Sequence, residues 1–312
     1  MHKLAILIPY FKIDYLEETI SSLASQTNKD FTLYIGNDLS FDDPLPVIQK
    51  YFQPHQYKYY DYKYNLGARN LSLQWARILE NVQEEWFQIL GDDDFVSPNL
   101  VEEFYSHIPG KESFINVIKF KSQLCDGKSK ITKQLYESFS TGIYEVVDLM
   151  IMKFRGRLNS SLSEHIFKLS KYRDIGFADY PIGWHTDDML ILQMSNYRSL
   201  LFVAEASVTV RIYDGSTSGS ENNLLLKQKA SRHFFLDFIK VLDKYNFSRK
   251  RKQEFLKALL QHKEMLGMDY LRKIYYENGW VGQVDFKKYQ LKCFVKYCFS
   301  GVFGNDVWRL KS

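Results

Sequence analysis

The stretch Trp86-Phe87-Gln88-Ile89-Leu90-Gly91-Asp92-Asp93-Asp94-Phe95 is a short, mostly apolar run that ends in three adjacent carboxylates. A run of that length and composition, closed by a glycine, reads as a strand buried on both faces. Working outward, Leu4-Ala5-Ile6-Leu7-Ile8 is a second such run, stopped by Pro9, and residues 31–35 and 57–60 are two more. Helical spacing fills the gaps: Leu16, Ile20, Leu23 and Ala24 up to Gln26, then residues 46–52, then 71–82. Asp14 stands three residues before Glu17, the spacing of a capping box, and Ser97-Pro98 is the expected start of a further helix. Strands alternating with helices over short loops predict an α/β fold, a mostly parallel sheet flanked by helices. In such open sheets ligands bind beyond the carboxyl ends of the strands. Polar residues cluster at three of those ends: Pro9-Tyr10, Gly36-Asn37-Asp38 and Gly91-Asp92-Asp93-Asp94.

The middle of the chain is less regular. Residues 114–120 and 165–169 read as strands, 123–132 as a polar loop and 200–211 as one or two strands. Residues 186–197 read as an amphipathic helix opened by Thr186 and two carboxylates, which suit a helix N-terminus. Asp214-Gly215-Ser216-Thr217-Ser218-Gly219 is a flexible loop, and from about residue 222 the chain is helical: 224–245, 249–277 and 287–299.

In 312 residues, a hydrophobic share of 45% against 25% charged excludes a disordered or fibrous chain. Three cysteines (Cys125, Cys293, Cys298) fit neither a zinc pattern nor a disulfide framework, which points to a reducing, intracellular setting. No run of about 18 apolar residues occurs, so no membrane crossing is expected. The net charge of +4 conceals an asymmetry. Residues 223–312 hold 19 Lys and Arg against 8 Asp and Glu, a balance of +11, which leaves −7 for the rest. The basic tail suits an anionic surface such as phospholipid, or equally a solvated helical face.

Five places can carry chemistry. Three carboxylates at one strand end repel each other and call for a cation, and hard divalent ions such as Mg²⁺ or Mn²⁺ take carboxylate and phosphate oxygens together. The same aspartates also fit a turn that caps the next helix. Asp38 after the second strand can accept from a base or a ribose hydroxyl, or can form an Asx-turn. Asn65-Leu66-Gly67-Ala68-Arg69-Asn70 opens a helix, where a glycine permits close approach and Arg69 can pair with a phosphate. Asp187-Asp188 at a helix start can supply a general base, or merely complement the macrodipole; His185 beside them is a polar neighbour more than a ligand. Arg211 precedes the Gly/Ser-rich loop, which can fold over a phosphate or an acceptor, or serve as a plain linker into the helical tail.

Taken in order, these residues resemble the inverting family-2 glycosyltransferases with the GT-A fold, over roughly residues 3–218. Ile6-Leu7-Ile8-Pro9-Tyr10-Phe11 looks like the family's first strand and its uridine-side loop, involving Pro9 and Tyr10. Residues 16–27, ending Ser22-Leu23-Ala24-Ser25-Gln26-Thr27, are similar to its first helix. Asn37-Asp38-Leu39-Ser40 stands where the family usually has Asp-Asp-Gly-Ser, which makes Asp38 the uracil or ribose contact. Residues 65–70 resemble its Asn-x-Gly…Ala-Arg-Asn segment and place Arg69 near the diphosphate. Asp92, Asp93 and Asp94 fill the DxD position, with Gly91 where the pattern often begins. The resemblance puts the metal on Asp94, with Asp92 assisting and Asp93 beside them at the nucleotide. Asp187-Asp188 looks like the Glu-Asp pair whose second member is the base, hence Asp188. Tyr213 stands where a His metal ligand is common.

The resemblance implies a nucleotide-sugar-binding, Rossmann-like catalytic domain over 1–220, with a nucleotide-sugar half (1–110) and an acceptor half (111–220). A basic helical extension follows over 221–312. The implied activity is metal-dependent, inverting transfer of a sugar from a nucleotide-sugar donor, UDP-linked, to a glycan or lipid-linked acceptor. Mn²⁺ or Mg²⁺ is the implied cofactor and bacterial surface polysaccharide synthesis the implied setting. Lysines among large apolar groups in residues 289–297 suit peripheral contact with the inner face of the membrane from the cytoplasm, or equally a homodimer contact. No nucleic-acid motif is present. The competing expectation is a nucleotide-sugar-binding protein without transferase activity, since Gly91 and Tyr213 depart from the pattern.

Overall fold

The structure is a computed structural model and describes residues 2–134, 139–262, 266–277 and 287. Strand β1 (Leu4–Tyr10) lies parallel between β2 (Phe31–Asn37) and β4 (Trp86–Ile89), and β3 (Tyr57–Asp61) extends the parallel set beyond β2. Leu4, Ala5, Ile6, Leu7 and Ile8 are all fully buried, as a parallel strand covered on both faces requires. Helices α1 (Leu16–Ala24), α2 (Leu45–Gln49) and α3 (Leu71–Leu79) make the crossovers. Helix α1 turns Leu16, Ile20 and Leu23 inward, and each such side chain contributes about 1.5–3 kcal/mol of burial. Its expected capping box does not form: Tyr15 is the N-cap and no side chain caps the helix. Asn70 does cap α3, its side chain accepting from the Ser72 amide. Pro98 lies just outside α4 (Leu100–His107), whose N-cap is Asn99.

The second half departs from the predicted parallel pattern. Strand β6 (Val117–Cys125) runs on into the region expected to be a polar loop, and β7 (Ile131–Gln134) pairs back on it antiparallel. Strand β9 (His165–Lys168) inserts between β4 and β6, antiparallel to both. Residues 199–211 form one long strand, β10 (Ser199–Arg211), parallel to β6 with a register shift between Val203 and Ser207. Strands β5 (Phe95–Val96) and β8 (Gly142–Glu145) flank β10, both antiparallel. Among the described residues the sheet therefore runs β3-β2-β1-β4-β9-β6-β10-β5. Helices α5 (Val146–Phe154), α6 (Leu169–Ile175) and α7 (Thr186–Met194) pack against one another in pairs around α7. Helix α7 is not the amphipathic element expected, because Asp188, Met189, Leu190, Ile191, Leu192 and Met194 are all buried.

The chain divides into two compact units, Met1–Val241 and Leu242–Ser312. Helix α8 (Leu224–Lys244) belongs to the first unit up to Val241, its Phe234, Phe235 and Phe238 buried. In the second unit, α9 (Arg249–Leu259) and α10 (Met268–Glu277) replace the single helix expected over 249–277. The expected helix over 287–299 lies outside the described residues but for Lys287. No helix among the described residues is long and apolar enough to cross a membrane.

Under the sheet, Lys119 on β6 and Glu164 before β9 form an ion pair at 2.8 Å with side chains 2% and 0% exposed. Burial pulls the Lys119 ammonium below its ordinary range, while Lys119 and Ser161 hold the Glu164 carboxyl near 2 against its own burial. Replacing Lys119 by Met strands a buried carboxylate, so Lys119→Met is expected to cost about 3–5 kcal/mol in urea unfolding at pH 7. The double variant Lys119→Met/Glu164→Gln should recover most of that loss. Equal loss in both variants would show that the charge is not what matters.

Candidate active site

The aspartate triplet sits where three strands end. Leu90 and its neighbours carry it off β4, and Phe95–Val96 pairs it to β10. At the end of β1, the Phe11 and Lys12 amides donate to Asp92 Oδ2 at 2.7 and 2.8 Å. Thr19 Oγ1 on α1 donates to the Asp92 carbonyl at 3.1 Å. Ser163 Oγ accepts from the Gly91 amide and donates to Asp94 Oδ2. The Arg211 amide donates to Asp94 Oδ1 at 2.9 Å, and Arg211 Nε to the Asp93 carbonyl at 3.0 Å. A Cβ at Gly91 would stand 2.9 Å from both Asp93 Oδ1 and Asp94 Oδ2. Gly91 thus gives the two carboxylates their room.

These bonds sort the triplet. Asp94, expected as the metal ligand, is 5% exposed with both oxygens engaged by Ser163 and Arg211. Burial lifts its carboxyl to about 6, with Ser163 and Arg211 pulling the other way. Asp92 keeps Oδ1 beyond the two amides on Oδ2. Asp93 is partly exposed and makes no ion pair among the described residues; burial, then the charges of Asp94 and Asp92, push it up to about 8. A carboxylate so loaded takes up a proton or a cation near neutral pH. Three ligand atoms within 4.8 Å of one another occur among the described residues at Glu103, His107 and Glu205, and not at the triplet. The hard oxygens of Asp93 and Asp92 fit a divalent ion that draws its other ligands from phosphate or water.

Arg211, which precedes the Gly/Ser-rich loop, is 1% exposed and fully engaged. Its guanidinium donates to the Asp126 carbonyl and to Ser129, pairs with Glu18 and lies over the Tyr15 ring at 4.0 Å. Tyr213 packs edge-on against Tyr15, and burial together with Asp93 and Asp92 raises its phenol. The loop beyond it is less loose than expected: Ser216 accepts from the Tyr213 and Gly219 amides, Lys12 Nζ donates to the Gly215 carbonyl and Lys227 Nζ to those of Thr217 and Ser220.

On the side of β2, Asp38 is 3% exposed. Its oxygens accept from the Leu66 and Gly67 amides at 2.8 and 2.7 Å, and Arg77 of α3 pairs with it. A Cβ on Gly67 would come within 2.5 Å of Asp38 Oδ2, so only glycine lets this loop close on the carboxylate. Tyr10, expected at the nucleotide, is fully buried and its hydroxyl donates to the Asp42 carbonyl. Pro9 beside it is partly buried, and Arg69 is exposed at the rim of the 65–70 loop. Asn70 Nδ2 donates to the Tyr180 carbonyl at 3.1 Å, and Asn70 bridges Ile182 in parallel. That bridge brings the Arg69 loop to the segment leading into α7.

At the start of α7, the two carboxylates also sort into one engaged and one available. Asp188, expected as the base, is 1% exposed; Lys153 pairs with Oδ1 and His185 Nδ1 lies 2.7 Å from Oδ2. Although burial opposes it, Lys153 and His185 hold its carboxyl well below the ordinary range. Asp187 is partly exposed and has no ion pair among the described residues, and burial with the Asp188 charge raises it to about 6. Reading the sequence missed Lys153, Ser163, Glu18 and Arg77. Each lies 35 to 193 residues from the group it holds, and no local spacing signals such pairs.

The profile of Glycosyl transferase family 2 matches residues 5–160, half of the chain. An uncharacterized glycosyltransferase of Rickettsia typhi is 24% identical over 235 residues, which cover 74% of this chain and 71% of that protein. The crystal structure of S. aureus TarS residues 1–349 in complex with UDP-GlcNAc superimposes with a TM-score of 0.65 at 15% identity, over 84% of this chain and 73% of that one. GalNAc-T7 with UDP, GalNAc and Mn²⁺ gives 0.53 at 12% identity, over 74% and 47%. The chain is a glycosyltransferase: it belongs to glycosyl transferase family 2 and has the GT-A fold.

Proposed function

We propose that the protein transfers a sugar from a UDP-linked donor to a hydroxyl of a glycan or lipid-linked acceptor, with inversion at the anomeric carbon. One observation carries this reading: two carboxylates, Asp93 and Asp187, stand partly exposed and without ion pairs, each beside a buried partner that is fully engaged. TarS with UDP-GlcNAc and GalNAc-T7 with UDP, GalNAc and Mn²⁺ support the choice of donor and ion. Catalysis is assigned to residues 1–220, with the donor on 1–110 and the acceptor on 111–220. The helices from 221 onward meet the acceptor, the inner membrane surface or a second copy. Synthesis of a bacterial surface polysaccharide is the setting this suits.

In this reading the nucleoside lies over the ends of β1 and β2, by Pro9 and the outer edge of Asp38, with Arg69 at the diphosphate. Asp93 and the remaining oxygen of Asp92 would hold Mn²⁺ or Mg²⁺, while Asp94 fixes the turn. A bound ion supplies charge neutralisation at the leaving diphosphate. The acceptor oxygen attacks the anomeric carbon from the face opposite the diphosphate, and its proton passes to Asp187. The bond from that carbon to the diphosphate oxygen breaks, and UDP leaves with the electron pair. A single displacement inverts the centre. A base whose proton affinity is set near pH 6 is ionised at neutral pH, yet stays a better acceptor than an ordinary aspartate.

A UDP-release assay with Mn²⁺, screening UDP-glucose, UDP-galactose and UDP-N-acetylhexosamines with and without acceptor, tests transfer directly. Because Asp187 must be ionised, kcat/KM is expected to fall about tenfold per pH unit below about pH 6. Asp187→Asn should lower kcat by about 10²–10⁴-fold with donor binding kept; a normal rate in that variant would end the assignment.

Thermal unfolding tests the ion. Asp93→Asn removes a carboxyl whose ionised form is disfavoured by burial and by the Asp94 and Asp92 charges, so at neutral pH in EDTA it should melt above the wild type. Mn²⁺ with UDP should raise the wild-type Tm but not that of Asp93→Asn. An equal rise in both would exclude Asp93 as ligand.

A further inference from the structure

Strand β10 carries an irregularity that the strand-end site does not use. Val203 pairs with Phe120 and Ser207 with Lys121, so consecutive residues of β6 face residues four apart on β10. Ala204, Glu205 and Ala206 are left without a partner on β6. Bulges of this kind re-aim side chains. This one is pinned from two directions. The Ala204 amide donates to Thr141 Oγ1, just before β8, at 2.8 Å. Asn99 Nδ2, at the start of α4, donates to the Glu205 carbonyl at 3.0 Å. Beside it the Ser97 amide donates to the Ser207 carbonyl at 2.8 Å and the Ser207 amide to Ser97 Oγ at 2.9 Å. Held in this way, Glu205 meets α4, where Glu103 and His107 stand four residues apart on one helix face.

We propose that Glu103, His107 and Glu205 form a zinc site, separate from the aspartates, that staples α4 to the bulge of β10. His107 Nε2 lies 3.3 Å from Glu103 Oε2 and 3.6 Å from Glu205 Oε2. Two ligands of a tetrahedral ion, each about 2.0–2.2 Å from it, stand about 3.4 Å apart, so both separations are near the edge length that zinc requires. A ligand atom from each of the three residues lies within 4.8 Å of the other two. The donor set also chooses among ions: an imidazole with two carboxylates suits Zn²⁺, whereas Mg²⁺ and Ca²⁺ prefer oxygen alone. Neighbouring groups aim the ligands, as outer partners do at metal sites. Asn99 Nδ2 donates to Glu103 Oε1 at 3.4 Å, which leaves Oε2 turned to His107, and Thr141 Oγ1 donates to Glu205 Oε2. The Glu205 side chain is 48% exposed, so water can take the fourth position. The rival occupant is a proton: a charged His107 would bridge the same two carboxylates, and zinc binding would displace it.

Calorimetric titration of the EDTA-treated full-length chain with Zn²⁺ alone tests this, beside the same titration of His107→Gln and Glu205→Gln. The wild type should take up one equivalent that both variants bind about 100-fold more weakly or not at all, since even groups that only orient a ligand are worth about 10–100-fold. Glu205 is half exposed, so its variant keeps the test open should His107→Gln fail to fold. Co²⁺ in place of Zn²⁺ should show the visible spectrum of a tetrahedral ion in the wild type and lose it in either variant. With free Zn²⁺ a hundredfold above Kd, the wild-type Tm should rise by about 5 °C and that of the variants should not. Two controls separate this site from the aspartates. The His107-dependent equivalent should persist in Asp93→Asn, and His107→Gln should keep the wild-type response to Mn²⁺ with UDP. Equal zinc affinity in wild type, His107→Gln and Glu205→Gln, or no uptake beyond what Asp93→Asn abolishes, overturns the proposal and leaves a proton between the carboxylates.

Discussion

Confinement of three adjacent carboxyl groups at the end of β4 organises the molecule. Like charges in a partly desolvated turn separate unless something holds them. Here the holding comes from the ends of β1 and β10, from α1, and from the residue before Glu164. The Phe11 and Lys12 amides, Thr19, Ser163 and Arg211 each supply a hydrogen bond, and all of them lie 69 or more residues from the group they hold. The buried Arg211 is the most committed of them, since its guanidinium ties the triplet's backbone to Glu18 on α1 and to the 126–129 turn. A residue of that size and charge is tolerated inside only when every donor is used.

The end of β4 and the start of α7 share a design. Each has a pair of neighbouring aspartates, one sunk into the protein and satisfied there, the other left at the surface with unmet electrostatic demand. Asp94 and Asp188 are the sunk members; Asp93 and Asp187 are the surface members. The two sides are also joined. Ser163 touches Asp94, and its chain neighbour Glu164 belongs to the charge group that runs through Lys119 and Lys153 to Asp188.

Much of this was legible in the residues alone. The apolar runs of β1, β2 and β4 could hardly be anything but buried strands, and the residues at their ends followed from that reading. Strand β9 has only four residues, His165–Lys168, and nothing in them signals that they lie antiparallel inside an otherwise parallel region. Helix α5 (Val146–Phe154) is buried on most of its surface, so it carries no amphipathic stripe to read. Choosing between adjacent aspartates was beyond reach for a similar reason. Whether Asp188 or Asp187 faces solvent depends on Lys153, 35 residues away, and the fate of Asp94 depends on Ser163, 69 residues away. Periodicity reports which side of an element is apolar. It does not report which distant cation arrives at that side.

The place of β9 bears on how such a chain can be recombined. The stretch that matches the family profile ends at residue 160, yet the strand that separates β4 from β6 begins at His165, and the partner of β5 begins at Ser199. Cutting at either residue 110 or residue 160 would therefore open the sheet through its middle and strip Ser163 and Arg211 from the aspartates. The segment that sequence comparison picks out is not a module in the architectural sense. Grafts between relatives that seek a new sugar or a new acceptor have to carry both halves across together.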